Sequence, residues 1–289
     1  MRWALVIALA ACAGEESVEK LSDTSASPPA DDPRYDPSTW PDTIGGRRPA
    51  TVRAPTDWDG VSPLPALFVV HGYGATGALQ DAYFGATGRP EPMVIILPDG
   101  TPDSSGARFW NAADACCDFQ NDGVDDVAYF RRLINQVEEA FPVDRILFLG
   151  HSNGGFMSHR MGCELGDRIT AIASLAGSNE ERPCADSRPD VLQIHGTLDE
   201  TILYETNSWT LGAEDSMRLW ADAAGCGGTT SAGTADYVLE VDGAETVKTA
   251  WTGCSDGFDG ELWTLEGGGH IPGFNESFRD DLYGWLLSR

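Results

Sequence analysis

The sequence predicts one large α/β domain with a mostly parallel central sheet and helices on both faces. Continuous apolar runs, typical of strands buried on both sides, alternate with segments that have helical spacing of apolar residues. Alternation of strands and helices favours parallel pairing. At 289 residues and 42% hydrophobic residues, the chain can bury a core of this size.

Each predicted element rests on its own local pattern. Residues 93–97 form an apolar run that stops at Pro98-Asp99-Gly100, and residues 124–141 repeat apolar side chains at helical spacing. Asp125 or Asp126 suits the first turn of that helix, so we expect a helix cap there rather than a working carboxylate pair. The predicted strands are 48–54, 64–71, 93–97, 146–149, 169–175, 191–194 and 261–265, and the predicted helices are 124–141, 154–165, 216–224 and 277–287.

The N-terminal 41 residues differ in character from the predicted domain. Residues 1–12 predict a lipoprotein-type signal peptide, since Leu9-Ala10-Ala11-Cys12 resembles a bacterial lipobox that would make Cys12 the lipidated residue. The alternative is an ordinary signal peptide in which Cys12 is incidental. Residues 13–41 are acidic and rich in Ser and Pro, which predicts a flexible tether. Residues 42–289 are the predicted folded domain.

The charge balance limits the possible partners. The chain carries 45 Asp and Glu residues against 19 Lys and Arg residues, and such a field repels nucleic acid and anionic membrane surfaces. We therefore expect no nucleic-acid partner, and contact with a membrane only through the lipid anchor. We also expect an exported monomer, lipid-anchored at the bacterial cell envelope or secreted.

Cysteine usage agrees with export, because disulfides form in oxidising compartments. Removing the lipidated cysteine leaves six, an even number. Cys226 and Cys254 flank one C-terminal segment and are expected to pair. The remaining four leave their pattern open, except that adjacent cysteines rarely bond each other; they are Cys116, Cys117, Cys163 and Cys184. No CxxC pair occurs and the histidines are dispersed, so we expect no metal site.

A serine between glycines is the first candidate for chemistry. Gly150-His151-Ser152-Asn153-Gly154 has the pattern GxSxG and lies between a predicted buried strand and a predicted helix. Glycines permit the tight, strained turn that lifts the serine hydroxyl above the sheet. The N-terminus of the following helix favours negative charge at the same place. The pattern predicts a nucleophile; a glycine-rich turn without chemical use is the alternative.

A nucleophilic serine needs a base and an orienting acid. Asp199 ends the turn after strand 191–194, and Glu200 beside it is a rival. His270 follows strand 261–265 and three glycines, which permit close approach. Because both strand ends should converge on the serine, we predict Asp199 as acid and His270 as base. His151 and His195 are expected to support their turns.

Two loops complete the predicted site. After strand 64–71, His71-Gly-Tyr-Gly74 is expected to offer the Tyr73 amide to an oxyanion, with the Asn153 amide as second donor. A plain glycine turn is the alternative. Trp110 lies after the Pro98-Asp99-Gly100 loop and either lines a substrate cleft or packs inside.

Taken together, the motifs HGYG, PDG, W…CC…VDDV, GHSNGG, HGTLD and GGGH resemble the secreted polyhydroxybutyrate depolymerase and feruloyl esterase-like group, similar to carbohydrate esterase family one. The resemblance covers the predicted domain and implies the α/β-hydrolase fold. It places nucleophile, acid and base on Ser152, Asp199 and His270. It also suggests that the Cys116-Cys117 pair is tied to Cys163 and Cys184. Where members often carry Trp-Pro-Gly, this chain has Ile271-Pro-Gly, so Ile271 is expected to alter the cleft wall.

The sequence therefore predicts an exported serine carboxylic-ester hydrolase that works through an acyl-enzyme and needs no cofactor. Expected substrates are feruloyl or acetyl-type esters of polysaccharides, or hydroxyalkanoate (polyester) oligomers. Alternatives are a serine peptidase or thioesterase on the same fold, or a non-catalytic binding lipoprotein.

Overall fold

A computed structural model gives the fold, and it describes residues 32–58, 62–179, 188–255 and 257–289. The predicted signal peptide with Cys12, residues 13–31 of the predicted tether, and Cys184 lie outside the described residues. Within those ranges, no helix is both long enough and apolar enough to cross a membrane.

Ten strands of the described residues form one sheet, in the order β1-β2-β4-β3-β7-β8-β9-β12-β11-β10. The six strands from β4 to β12 in this order are parallel, and antiparallel pairs lie at both edges. The prediction of a mostly parallel sheet is confirmed. The strands are β1 Thr43–Ile44, β2 Ala50–Arg53, β3 Leu64–Val70, β4 Val94–Leu97, β5 Thr101–Pro102, β6 Arg108–Phe109, β7 Val143–His151, β8 Ala171–Leu175, β9 Asp190–Gly196, β10 Gly228–Ala235, β11 Thr246–Thr252 and β12 Gly260–Leu265.

Helices cover both faces of the sheet. Successive residues of β3 show why: Phe68 and Val70 enter one hydrophobic core, while Leu67 and Val69 enter the other. A strand buried on both faces needs an apolar run rather than an alternating pattern. α2, α3 and α4 pack in the first core, α1 and α5 in the second. The helices are α1 Gly77–Phe84, α2 Asp126–Ala140, α3 Asn153–Glu164, α4 Ala213–Ala223 and α5 Glu276–Leu287.

The two adjacent aspartates before α2 serve different purposes. Asp125 is the N-cap, and its side chain accepts a hydrogen bond from the Ala128 amide at 2.8 Å. Asp126 is buried, lies 2.7 Å from Arg48 Nη1 and accepts a hydrogen bond from the Asn111 amide. Neither carboxylate is free for acid–base chemistry, so the expectation of a structural role holds.

The antiparallel edge formed by β10 and β11 was not predicted. β10 consists of small and polar residues, and seven of its eight positions are exposed on both faces. Without an apolar face, the strand has no period-two pattern to detect. Its pairing with β11 holds it in place, with an irregularity between Ser231 and Gly233, whose φ of 108° suits glycine.

The last part of the predicted tether is folded onto the domain. Residues 33–39 form two short 3₁₀ turns. Trp40 then packs against Trp58 and Phe141, with ring centroids 4.8 and 5.3 Å apart. The tether was predicted to reach residue 41, but burial of an aromatic ring outweighs the polar composition around it.

The described cysteines correct part of the disulfide prediction. The expected Cys226–Cys254 bond is confirmed and joins the end of α4 to the end of β11. Cys116 bonds to Cys117, contrary to the expectation that neighbours do not pair and to their implied link with Cys163 and Cys184. The peptide bond between them is cis, and their Cα atoms lie 3.0 Å apart. Cys163 is also disulfide-bonded.

Candidate active site

Ser152 lies at the sharp turn between β7 and α3. It is the N-cap residue of α3, with φ 53° and ψ −123°. A non-glycine residue with positive φ is costly, and such residues concentrate at functional sites. The turn leaves the side chain partly exposed at the carboxyl edge of the parallel strands, with the positive end of the α3 dipole beneath it.

The flanking glycines are needed because other backbone passes where a side chain would stand. A Cβ at Gly150 would lie 2.0 Å from the Gly154 oxygen, and a Cβ at Gly154 would lie 2.1 Å from the Val70 oxygen. Both distances are much shorter than a van der Waals contact, so a side chain at either position would clash with backbone. This agrees with the prediction that the turn needs glycines on both sides of the serine. The pattern fits this turn between strand and helix.

The structure brings Ser152, His270 and Asp199 together in one hydrogen-bonded row. His270 Nε2 lies 3.0 Å from Ser152 Oγ, and His270 Nδ1 lies 2.7 Å from Asp199 Oδ2. Since the carboxylate can only accept, Nδ1 carries the hydrogen and Nε2 has a lone pair facing the serine hydroxyl. This is the geometry in which an imidazole can take a proton from a serine.

Asp199 rather than Glu200 faces the histidine. Asp199 is buried, whereas Glu200 is exposed. Its Oδ1 accepts hydrogen bonds from the amides of Thr201 and Ile202, at 2.8 and 2.9 Å. Burial alone would raise the pKa of Asp199, but hydrogen bonds from His195 and His270 hold that pKa well below its ordinary value. The carboxylate is therefore ionised throughout the neutral range.

Direct hydrogen bonds join the loops that carry the acid and the base. The Leu198 amide donates to the Gly268 oxygen at 2.9 Å, and the Gly267 amide donates to Thr197 Oγ1 at 2.9 Å. A Cβ at Gly196 would lie 2.2 Å from the Gly268 oxygen. Close approach of these two strand ends therefore requires a glycine on the acid loop, in addition to the glycine run before the base.

The two amides predicted to bind an oxyanion flank the serine. Gly72 packs against the turn, because a Cβ there would lie 3.3 Å from Ser152 Cβ. The next residue is Tyr73, and Asn153 is the first residue of α3. Among the described residues, neither amide hydrogen has a protein acceptor. Both donors are thus available to a ligand, and their role in binding an oxyanion stays a prediction.

Trp110 is an internal residue, which corrects its tentative place in the substrate cleft. Its side chain is fully buried, and its indole N–H donates to the His71 oxygen at 2.9 Å. Its backbone N–H and oxygen bond the Asn153 side chain at 2.7 and 2.9 Å. The indole N–H has its acceptor inside the protein, so Trp110 packs in the core. It acts on the site indirectly, by holding Asn153 and the backbone of His71.

Two other histidines brace the site. His71 Nδ1–H donates to the Gly72 oxygen at 2.7 Å, and its Nε2 accepts from the Gly100 amide at 2.9 Å. This ring ties the loop of Tyr73 to the Pro98-Asp99-Gly100 loop. His151 Nε2–H donates to the His270 oxygen at 2.9 Å and so holds the base in position. The expectation that His151 supports a turn agrees with this contact.

Two exposed apolar side chains near the candidate site are Ile271, which the sequence predicted, and Phe119, which it did not. Ile271 is 67% exposed beside His270, so it is free to form part of a cleft wall. Phe119 is also exposed, and its ring meets Tyr73 edge-on with centroids 5.5 Å apart. Phe119 follows the cysteine pair in a loop without periodicity, so only its contact with Tyr73 identifies it.

Buried uncharged histidines predict acid sensitivity of the fold. Burial lowers the pKa of His71, His151 and His159 from 6.5 to about 4. Below pH 6.5 the unfolded chain takes up protons on these rings while the folded protein does not, so stability must fall as the pH falls from about 6.5 to 4. Above pH 6.5 the rings are neutral in both states and contribute no pH dependence.

The measurement is the urea midpoint of unfolding at several pH values between 8 and 5. About 0.5 M NaCl screens repulsion among the surface carboxylates, whose protonation would otherwise act in the opposite direction. We expect a level midpoint above pH 7 and a steady decrease below pH 6.5. A midpoint that stays level down to pH 5 would mean that these rings are protonated in the folded protein.

The described residues contain no group of three or more His, Cys, Asp or Glu side chains that could hold a metal ion.

Comparison with known proteins identifies esterases. Feruloyl esterase B of Piromyces equi is 28% identical over 209 residues, covering 66% of this chain but only 35% of that protein. Feruloyl esterase D of Neurospora crassa is 24% identical over 244 residues, covering 82% of this chain and 78% of that protein. An acetyl xylan esterase from Aspergillus awamori superposes with a TM-score of 0.59 at 13% identity, covering 84% and 98% of the two chains. No family model matches the chain.

These similarities confirm the predicted resemblance to feruloyl esterase-type proteins. They also confirm the α/β-hydrolase fold. Because the chain spans about a third of the first relative, the activity of that whole protein does not transfer directly.

Proposed function

We propose that this chain is a serine carboxylic-ester hydrolase that uses Ser152 as nucleophile, His270 as general base and Asp199 as orienting acid. The observation that carries the proposal is the row of hydrogen bonds from Ser152 Oγ to His270 Nε2 and from His270 Nδ1 to Asp199 Oδ2, at 3.0 and 2.7 Å. The similarity to curated feruloyl esterases supports the same reaction class.

The first half-reaction forms an acyl-enzyme. Ser152 Oγ attacks the ester carbonyl carbon while its proton passes to His270 Nε2, and the carbonyl oxygen becomes an oxyanion. Asp199 stabilises the imidazolium that results. The tetrahedral intermediate then expels the alcohol, which leaves with the proton from His270 Nε2. In the second half-reaction His270 takes a proton from water, the hydroxide attacks the acyl carbon, and the acid product leaves as Ser152 regains its proton.

The oxyanion would be bound by the amides of Tyr73 and Asn153. Among the described residues both amides lack a protein acceptor; Asn153 directly follows Ser152, and Tyr73 follows Gly72, which packs against Ser152. The N-terminus of α3 adds its dipole. Preformed donors of this kind stabilise the transition state because they need no reorganisation when charge develops. Loss of one such donor typically costs about 10²–10³ in rate.

The substrates that best fit are feruloyl or acetyl-type esters of polysaccharides, or hydroxyalkanoate oligomers. Relatives named as feruloyl esterases support the first group. The exposed rings of Phe119 and Tyr73 contact each other, and Ile271 is exposed directly after His270, so apolar side chains are available to an acyl group. Such a surface suits an aromatic or alkyl acyl group better than a charged one.

The test is a panel of initial rates for the full chain, produced under oxidising conditions. The panel contains p-nitrophenyl butyrate, methyl ferulate, acetylated xylan, a hydroxybutyrate oligomer, a thioester and a peptide amide. We expect turnover of at least one ester to exceed that of the thioester and the amide. Faster cleavage of the thioester or amide would replace this proposal with the thioesterase or peptidase alternative. No turnover by folded protein would favour the non-catalytic binding lipoprotein.

We further propose that the protein is exported and held at the envelope by a lipid on Cys12. The Cys226–Cys254 disulfide supports an oxidising compartment, and the sequence before Cys12 resembles a lipobox. A Cys12→Ala variant is expected to leave the membrane fraction; if it remained there, the anchor assignment would be wrong. We also propose that the protein is a monomer, and gel filtration is expected to show the monomer mass.

A further inference from the structure

A chain of buried polar side chains runs from α4 to the candidate acid. Trp220 Nε1 lies 3.0 Å from His159 Nδ1, and His159 Nε2 lies 2.8 Å from Gln193 Oε1. Gln193 Nε2 lies 3.2 Å from His195 Nδ1. All four side chains are buried to 1% exposure or less. We call Trp220, His159, Gln193 and His195 the buried polar chain.

Two groups that can act in only one way, the Trp220 indole N–H as donor and the Gly177 oxygen as acceptor, determine the direction of every hydrogen bond in the buried polar chain. The indole of Trp220 can only donate, so His159 Nδ1 must accept and His159 Nε2 must carry the hydrogen. The oxygen of Gly177 can only accept, and it lies 2.8 Å from Gln193 Nε2. The Gln193 amide therefore points its oxygen toward His159 and its NH₂ toward Gly177 and His195. The two constraints agree with each other.

His195 receives its tautomer from this arrangement. Its Nδ1 accepts from Gln193, so its hydrogen is on Nε2. That hydrogen is donated to the Ile202 oxygen at 2.8 Å, and Nε2 itself lies 3.4 Å from Asp199 Oδ2. The opposite tautomer would turn a lone pair toward two oxygens and repel both. The His195 Nε2–H group thus holds the turn that contains Asp199 through the Ile202 oxygen. It also lies near Asp199 Oδ2, the oxygen that accepts from His270 Nδ1.

Core packing alone gives no reason for such a chain. Burying polar side chains is costly unless each finds a partner, and apolar residues of similar size would fill the space without that requirement. Burial also lowers the pKa of His159 to about 4, which keeps its ring neutral and its one N–H directed at Gln193. The last member of the buried polar chain, His195, lies next to Asp199, so any effect of the buried polar chain on the site is on the position of that carboxylate.

We propose that the buried polar chain is a positioning device: it fixes His195 as an Nε2–H donor and thereby holds Asp199 Oδ2 toward His270. This inference rests on the proposed function. None of its four members lies in the row of Ser152, His270 and Asp199, so each acts through the carboxylate. Its loss should lower kcat, since the imidazolium is stabilised less well, and should leave KM unchanged.

The test compares Trp220→Phe with Trp263→Phe as a matched control. Both residues are buried tryptophans, but the Trp263 indole donates to Glu261 Oε2 at 2.8 Å, in the other core. Gln193→Leu is a second variant that removes the donor to His195 directly. The readouts are kcat and KM on p-nitrophenyl butyrate, and ¹⁵N spectra of histidine-labelled protein, which report tautomers and the His270 Nδ1 proton.

We expect kcat to fall about tenfold or more in Gln193→Leu and several-fold in Trp220→Phe, with KM unchanged, because small losses of positioning are costly. The spectrum of Gln193→Leu should show mixed tautomers at His195 and an altered His270 Nδ1 proton. In Trp220→Phe the Gly177 oxygen still orients Gln193, so mixed tautomers are expected at His159, with a smaller change in the His270 Nδ1 proton. Trp263→Phe should change neither. If Gln193→Leu does not fold, Trp220→Phe decides the question alone.

Wild-type kcat together with an unchanged His270 Nδ1 proton in Trp220→Phe would overturn the inference, and so would an equal loss of kcat in Trp263→Phe. The spectra also separate the inference from the proposed function, because they need no turnover. If the wild type hydrolyses no ester but Trp220→Phe still alters the His270 proton, the proposed function fails and the positioning inference stands.

Discussion

Replacing Ser152 by Ala is expected to abolish ester hydrolysis, with a loss in kcat of about 10⁵-fold or more, because no other group can form the acyl-enzyme. The hydroxyl is partly exposed, and its Oγ lies 3.0 Å from His270 Nε2. Its removal therefore leaves the fold intact. The measurement is the initial rate on the fastest ester of the panel, with the urea midpoint measured beside it.

Ser288→Ala provides the control for this experiment. Ser288 is exposed at the other kind of helix end, directly after α5, and its hydroxyl donates to the Trp285 oxygen at 2.9 Å. We expect wild-type turnover from that variant and an unchanged midpoint from both. Retention of more than about a hundredth of the activity by Ser152→Ala would mean that another nucleophile, or water without an acyl-enzyme, carries the reaction.

The second large effect is expected for Asp199→Asn, with a loss in kcat of about 10³–10⁴-fold. The amides of Thr201 and Ile202 would hold the new side-chain oxygen at the present Oδ1 position. The NH₂ group must then take the Oδ2 position, facing hydrogens on His270 Nδ1 and His195 Nε2. His270 escapes this conflict by moving its hydrogen to Nε2, and in that tautomer it cannot accept the serine proton.

Glu200→Gln makes the same chemical change one residue later, on an exposed side chain. It is expected to keep wild-type kcat. The rates of both variants are measured on one ester, together with the ¹⁵N spectrum that reports the His270 tautomer. Equal losses in the two variants would point to a general effect of charge near the site, and a small loss in Asp199→Asn alone would remove Asp199 from the assigned role.

Much of the candidate site could be predicted because its residues directly follow strands. Ser152 was found from glycines that the turn requires, and the structure gives the steric reason in the contacts of Gly150 and Gly154. Asp199 and His270 were found because parallel strands that end at one edge bring their following loops together. Each of these signals is contained in a few neighbouring residues.

Features that depend on distant contacts could not be predicted in the same way. Trp110 follows a loop, as a cleft residue would, and only the acceptor at His71 and the amide of Asn153 draw it inside. The partnership of Gln193 with His159 joins residues 34 positions apart on different elements. Likewise, no sequence pattern indicates the pairing of Cys116 with Cys117.

The measurement that tests the central claim most directly is mass spectrometry of the full, oxidised chain after treatment with a fluorophosphonate. An activated serine displaces fluoride from phosphorus. If Ser152 is the nucleophile, we expect one adduct per chain, on the peptide that contains Ser152. The adduct should be absent from Ser152→Ala and should form far more slowly in Asp199→Asn. An adduct on another residue, or none on folded protein with its Cys226–Cys254 bond intact, would contradict the assignment of Ser152 as an activated nucleophile.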